Sequence, residues 1–120
     1  MSERDDSPAV LNASVTATVE DGDVELAFTV GNAGAEPVEC SFRDGQRVEA
    51  VAEREDGAEV WRYSDGRMFS MALGTEVVLS GSEMTFDATW LDAAPGEYRV
   101  RVWLAAADVD ASAETRVSVA

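Results

Sequence analysis

The sequence has 120 residues, the size of a single domain, and 24 acidic against nine basic residues give it a net charge of −15. This balance excludes the basic face that binding to nucleic acid or to an anionic membrane requires. There is no histidine, so Ser-His-Asp and Cys-His catalysis are excluded as well.

The acidic charge predicts a protein of a high-salt cytoplasm. All nine basic residues are arginine, and alanine and valine are abundant. Repulsion between carboxylates destabilises a compact chain in dilute salt, whereas at 1 M salt the Debye length is only about 3 Å. The alternative is an acidic protein of an ordinary cytoplasm.

The N-terminus, MSERDDSPAV, lacks the apolar core of a signal peptide, and no apolar run is long enough to span a membrane. We therefore expect a cytoplasmic protein. Residues 1–8 are polar and charged and are predicted to form a disordered tail, followed by one domain over residues 9–120.

From residue 9 onward apolar and polar residues alternate, which predicts strands. The first segments in chain order are SVTATVE (14–20), VELAFTV (24–30) and VECSF (38–42). The segments DGD (21–23) and GNAGAEP (31–37) between them have turn composition. The next segment, RVEAVAERE (47–55), is more polar and is predicted to be an edge strand guarded by its charged face.

Five further strands are predicted, most of them separated by turns that contain glycine. They are EVWRYS (59–64), TEVVLS (75–80), EMTFDATW (83–90), EYRVRVWLA (97–105) and ETRVSVA (114–120). Only MFSMAL (68–73) has room for a helical turn. About eight or nine short strands with regular turns predict an all-β fold, an immunoglobulin-like antiparallel β-sandwich of two packed sheets.

Three residues refine this prediction. Tyr98 follows a Pro-Gly turn at the head of a strongly alternating strand, where a tyrosine corner belongs. The cysteine that many such sandwiches carry two positions later is Val100 here, so the usual disulfide is absent. Cys40 is the only cysteine, and its apolar alternation predicts a buried structural thiol.

The residue composition and the spacing of the acidic residues predict a protein that binds no metal or cofactor and catalyses no reaction. The carboxylate pairs Asp21/Asp23 and Asp108/Asp110 match no calcium loop, and solvated turns are the preferred interpretation over calcium sites. No arrangement supports catalysis by two carboxylates. A binding module remains.

The segment VWRYSDGRMF (60–69) holds the candidate residues for binding. In a strand, Trp61 and Tyr63 share one face and are predicted to pack between the sheets, whereas Val60 and Arg62 point to the other face. The four residues from Ser64 to Arg67 predict a tight turn with Gly66 at positive φ. Beyond it we expect Arg67, Met68 and Met71 to be exposed and Phe69 to point inward.

This segment resembles the signature of the BsuPI-type intracellular proteinase inhibitors: Val, Trp-Arg-Trp-Ser, a glycine turn and a Phe. Tyr63 replaces the second tryptophan, and Met71 replaces a glutamine. The resemblance extends over roughly residues 23–105, through Phe42, the Gly45-Gln46 pair, Asp56-Gly57, Leu79, Gly81, Trp90 and Pro95-Gly96-x-Tyr98. Val48 stands where the family has an aromatic residue.

The resemblance implies an immunoglobulin-like sandwich and non-catalytic inhibition of an intracellular subtilisin-type serine proteinase by an acidic, haloarchaeal-like member. The loop that we expect to contact the proteinase supplies Arg62, Asp65, Gly66, Arg67, Met68, Phe69 and Met71, with Met68 as the favoured S1 residue. The structural motif comprises Val60, Trp61, Tyr63, Ser64, Trp90 and Tyr98.

Two other functions stay open at this point. One is a general immunoglobulin-like interaction or structural module, which a stable complex with a non-proteinase partner in a high-salt lysate would indicate. The other is a carbohydrate-binding module, which requires Trp61 and Tyr63 to form a flat exposed pair. The sequence makes no prediction of the oligomeric state.

Overall fold

The computed structural model describes residues 11–120, which form nine strands and no helix, so the all-β prediction is confirmed. No helix that could cross a membrane is found in this part of the chain. The tail predicted over residues 1–8 lies outside the described residues. The strands are β1 (Leu11–Glu20), β2 (Asp23–Asn32), β3 (Val38–Phe42), β4 (Val48–Arg54), β5 (Glu59–Arg62), β6 (Gly74–Val78), β7 (Glu83–Trp90), β8 (Gly96–Leu104) and β9 (Ser112–Val119).

The hydrogen-bonded strands divide into three antiparallel sheets, where the sequence predicted two. Their orders are β1-β2-β7, β3-β6 and β5-β4-β8-β9. The β3–β6 pair is separate because the far edge of β3 is occupied by the segment that follows β8: the Ala107 amide donates to the Ser41 carbonyl at 2.8 Å.

One hydrophobic core draws side chains from all three sheets, as the alternation predicted. On β2, Val24, Leu26, Phe28 and Val30 are buried, while the residues between them are more exposed. The same pattern on β8 buries every second residue from Tyr98 to Leu104. Cys40 on β3 is fully buried among these side chains, which confirms its predicted place in the core.

The β1–β2 hairpin illustrates how the sequence directs a turn. Asp21 and Gly22 both have positive φ, 52° and 82°. These are the values of the tight hairpin turn that Asp-Gly favours, because its twist matches that of the flanking strands. Ten residue pairs from Leu11–Asn32 to Glu20–Asp23 then align without a bulge.

Tyr98 forms the predicted corner. Its hydroxyl donates to the carbonyl of Ala94 at 2.6 Å, and its ring is buried in the core. Such a bond, from a tyrosine at the head of a strand to the backbone a few residues earlier, is the tyrosine corner of immunoglobulin-like domains.

The prediction of an edge strand over residues 47–55 is wrong. Strand β4 lies between β5 and β8. Its carboxylates do not guard an edge; they pair with arginines of the neighbouring strands, Glu49 with Arg62 and Glu53 with Arg101. Val51, on the same face as these carboxylates, is fully buried. Residues 68–73 also form no helical turn.

Candidate protein-binding loop

The candidate residues lie mainly on the loop of residues 63–73, which joins β5 to β6 and is called here the β5–β6 loop. It begins with two overlapping turns. The Asp65 amide donates to the Arg62 carbonyl at 3.1 Å, and the Arg67 amide donates to the Ser64 carbonyl at 3.2 Å. Gly66 has φ of 76°, which confirms the predicted turn with glycine in the left-handed region.

Five aromatic rings connect the core to this loop and are called here the aromatic series. Tyr98 meets Trp90 edge to face at 4.9 Å between ring centroids, and Trp90 stacks on Trp61 at 5.6 Å. Trp61 meets Tyr63 edge to face at 6.4 Å, and Phe69 lies 6.3 Å from Tyr63. Trp61 on β5 and Trp90 on β7 belong to different sheets, so the predicted packing between sheets is confirmed.

Trp61 and Tyr63 do not form the flat, exposed aromatic pair that a sugar-binding module requires. The rings of Trp61 and Tyr63 are inclined at 70° to each other, and both are half-buried. Trp90 stacks on the Trp61 ring at an interplanar angle of 19°. A sugar ring has no extended aromatic platform here on which to stack.

Arg67 is exposed, as predicted, but it is also fixed in place. Its guanidinium lies over the Tyr63 ring at 4.2 Å from the centroid, and its Nε donates to the Tyr63 carbonyl at 2.8 Å. A planar cation on an aromatic face combines electrostatic attraction with packing. Arg67 thereby holds the turn against the aromatic series.

A second contact holds the far half of the loop. The Gly45 amide, in the β3–β4 connection, donates to the Ser70 carbonyl at 2.7 Å. The two backbones approach so closely that a Cβ at Gly45 would lie 3.1 Å from the Ser70 nitrogen. Glycine at this position permits the approach.

Arg47 holds the entry to β6. Its Nε pairs with Glu76 at 2.9 Å, its Nη1 donates to the Asp44 carbonyl at 2.9 Å, and its guanidinium lies 4.4 Å from the Phe42 ring centroid. Neither Arg47 nor Gly45 was identified as a site residue. The Gly45-Gln46 pair in the family resemblance was the signal that pointed to this connection.

Between these contacts the loop exposes apolar side chains. Met68 is 98% exposed, Met71 is 89% exposed and Leu73 is 83% exposed. Phe69, between the two methionines, is half-buried against Tyr63, as predicted. Asp65 and Gly66 are exposed at the turn. The sequence predicted the exposure of both methionines but gave no prediction for Leu73.

Arg62 lies at the base of the loop. Its guanidinium binds both carboxylate oxygens of Glu59, at 2.9 and 3.0 Å, and lies 3.6 Å from Glu49. The hydrogen bond from Arg62 lowers the pKa of the Glu59 carboxyl, and the same bond raises the pKa of Arg62. Glu49 also accepts the Ser64 amide at 3.1 Å. Val60, on the same strand, is 38% exposed.

Two of the four carboxylates considered for calcium, those of Asp23 and Asp108, accept backbone hydrogen bonds. Asp23 accepts the Asp92 amide and Asp108 accepts the Ser41 amide, each at 2.9 Å. Hydrogen bonds from Ser41 lower the pKa of Asp108. Burial raises the pKa of the Cys40 thiol, with Asp108 and Glu76 acting in the same direction. Within residues 11–120 no three His, Cys, Asp or Glu side chains come together as a metal site would require.

A family model described as "BsuPI: Intracellular proteinase inhibitor" matches residues 11–109 of the chain. The match covers more than half of the 120 residues and includes the whole β5–β6 loop. No curated protein sequence matches the chain.

Among solved structures the chain is similar to a β-glucosidase from Kluyveromyces marxianus in complex with glucose, at 11% identity and a TM-score of 0.47. It is also similar to β-glucosidase 3B from Thermotoga neapolitana in complex with glucose, at 14% identity and 0.42. The matches cover 92% and 90% of this chain but span only 14% and 16% of those enzymes. The N-terminal domain of PorA matches at 12% identity and 0.35, over 88% of this chain and 85% of that one. At such scores these similarities carry no functional argument.

Proposed function

The chain belongs to the BsuPI family of intracellular proteinase inhibitors, and we propose that it inhibits a subtilisin-type serine proteinase by placing its β5–β6 loop in the substrate cleft, without catalysis. The loop would lie in the cleft as an extended segment with one side chain in the S1 pocket. Met68 is that side chain.

The observation that carries this proposal is the contrast between Met68 and its surroundings. Its side chain is 98% exposed, whereas the residues on either side of it are held. Arg67 is fixed on the Tyr63 ring, and Phe69 packs against the same ring. A large apolar group on a braced backbone binds at a low cost in conformational entropy, because little order has to be created on association.

The other candidate residues divide into two roles in this proposal. Asp65, Gly66, Met71 and the exposed part of Arg67 form the surface around Met68. Arg62 acts from the base of the loop, where its bonds to Glu59 and Glu49 hold the end of β5. The residues Val60, Trp61, Tyr63, Ser64, Trp90 and Tyr98 support the loop from below.

We further propose that residues 9–120 form one immunoglobulin-like β-sandwich domain and that the protein is an acidic, haloarchaeal-like member working in a salt-rich cytoplasm. The shared core of the sheets and the tyrosine corner support the fold. The net charge of −15 and the absence of lysine support the environment.

The test is the inhibition constant for an intracellular subtilisin-type proteinase in about 2 M KCl, where charge repulsion is screened. Burying a methionine side chain stabilises a complex by about 1.5–3 kcal/mol. Met68→Ala should therefore weaken inhibition by about 10–100-fold. Met68→Asp should weaken it further, because the carboxylate would lose its hydration in an apolar pocket.

Met71→Ala is the matched control: the same residue type, on the same loop and similarly exposed. It should change the inhibition constant by less than about fivefold, as most interface residues do. Unchanged inhibition by Met68→Asp would show that Met68 is not the S1 residue. Failure of the wild-type protein to inhibit any such enzyme would reject the proposed function.

A further inference from the structure

Among residues 11–120, strand β6 has one edge without a strand partner, and the hydrogen-bonding groups along this edge can be identified. In the β3–β6 pair Ser41 lies opposite Thr75 and Glu39 opposite Val77. Ser41 bonds away from β6, because its amide donates to Asp108 and its carbonyl accepts from Ala107. In an antiparallel pair, a residue whose backbone amide and carbonyl point away from the partner strand lies opposite another residue of the same kind. Such residues recur at every second position along each strand. The amides and carbonyls of Thr75 and Val77 therefore point away from β3.

Within residues 11–120, no hydrogen bond occupies these four backbone groups. Natural edge strands are usually blunted by lysine, proline, a bulge or an inward-pointing charge. The segment GTEVV of β6 has neither lysine nor proline, and its pairing with β3 runs without a register shift. Its one charged residue, Glu76, lies on the same face as the buried Val78, where Arg47 compensates its charge at 2.9 Å. Within residues 11–120 no strand pairs with this edge.

The side chains beside this edge are apolar and exposed. Leu73, Val77 and Leu79 fall on alternate positions and are exposed by 83%, 48% and 58%. The 15 residues 68–82 contain one charged residue, Glu76, in a chain with 28% charged residues. Exposed apolar surface of this kind marks an interaction site. It continues directly from Met68 and Met71 of the β5–β6 loop.

We propose that the free edge of β6 pairs with an extended segment of the target proteinase, so that the inhibitor contacts the enzyme through a strand edge as well as through the loop. This inference rests on the proposed function. Unpaired amides and carbonyls spaced along a strand are satisfied by another extended chain, whose alternate side chains would meet Val77 and Leu79.

Geometry supports the proteinase as the occupant. Thr75 follows Met68 by seven residues, so at most about 25 Å of extended chain separates them. A proteinase domain of about 250 residues has a radius of gyration of about 18 Å and is therefore more than about 40 Å across. An enzyme that holds Met68 in its cleft thus has surface within reach of β6.

The test uses a subtilisin-type proteinase whose nucleophilic serine is replaced by alanine, titrated in about 2 M KCl so that charge repulsion is screened. Val77→Pro removes an amide from the free edge but none from the β3–β6 ladder, and edge strands tolerate such a proline. It should raise the dissociation constant about tenfold or more. Val77→Thr keeps the amide and the branched shape and should raise it by less than about threefold.

Hydrogen exchange of the wild-type protein tests the same contact without a substitution. The amides of Thr75 and Val77 should gain protection when the enzyme binds. Binding without that protection, or equal affinity of a folded Val77→Pro variant, would overturn the inference and leave the proposed function standing. No binding by the wild type would reject both. Protection of these amides in the free protein, together with a dimer in sedimentation, would assign the edge to a second copy instead.

Discussion

At the scale of single residues, Asn32 shows how a buried polar side chain organises the backbone around it. It is 3% exposed and makes three hydrogen bonds through its amide group. The Nδ2 donates to the carbonyls of Glu36 and Val78, and the Oδ1 accepts the Gly34 amide, each at 2.8 Å. One side chain thus satisfies the backbone of the turn after β2 and the end of β6.

Tyr98 provides the prediction at this scale. Tyr98→Phe removes only the hydroxyl that bonds to Ala94 and should lower the free energy of unfolding by about 1 kcal/mol. Urea unfolding in molar KCl measures the change. Tyr63→Phe is the matched control, because the Tyr63 hydroxyl bonds to no described residue, and it should change stability by less than about 0.5 kcal/mol. Equal losses in the two variants would contradict a structural role for the corner bond.

At the scale of elements, the β5–β6 loop owes its shape to neighbours far away in the chain. Arg67 and the aromatic series hold its first half, and the bond from Gly45 to Ser70 holds its second half. The loop has no disulfide to brace it, because Cys40 is buried on β3 and has no partner cysteine. Packing and one backbone contact replace the covalent brace.

Gly45→Ala tests that contact. The new Cβ would lie 3.1 Å from the Ser70 nitrogen and 3.2 Å from the Ser70 Cβ, so the loop has to move. Loss of one hydrogen bond of about 1 kcal/mol should weaken proteinase inhibition about fivefold. The inhibition constant measures this, and thermal unfolding shows that the domain is intact.

Gly31→Ala serves as the control, because its Cβ would first meet the side-chain oxygen of Asn12, at 2.8 Å, which can move aside. Gly31 lies on β2, outside the loop and its supports, so inhibition should stay at the wild-type value. An effect of Gly31→Ala as large as that of Gly45→Ala would mean that the Gly45–Ser70 contact has no special role.

The strands and the β5–β6 loop also show which structural features the sequence alone does not predict. Strand faces, turns and the exposure of Met68 and Met71 were predicted because each depends on a residue and its near neighbours. The internal position of β4 was not predicted, because the alternating charges Glu49 and Glu53 are typical of a solvent-facing strand. They pair with Arg62 and Arg101, which only the fold brings beside them. The bracing by Gly45 and Arg47, and the free edge of β6, likewise depend on which strands become neighbours.

At the scale of the whole molecule, the net charge of −15 predicts dependence on salt. The melting temperature should rise between about 0.1 and 2 M KCl, because salt screens the repulsion between carboxylates. Replacing Glu25, Glu83 and Asp87, three exposed acids, by their amides changes the charge from −15 to −12. This variant should gain less from salt, as measured by thermal unfolding. A wild-type melting temperature that does not rise would contradict the proposed high-salt environment.

The sequence by itself determined the all-β class, the buried face of most strands, the turns at Asp-Gly pairs and the family resemblance, because all of these follow from local periodicity and residue chemistry. Only the tertiary structure decided that the strands of residues 11–120 form three sheets, that β4 is internal and that no described strand pairs with the outer edge of β6. The segment VWRYSDGRMF and the β5–β6 loop that it enters show both levels. Its aromatic residues were recognisable as core, but the contacts of Gly45 with Ser70 and of Arg47 with Glu76 join residues 25 and 29 positions apart. Contacts across such separations depend on how the strands are arranged, which local patterns do not encode.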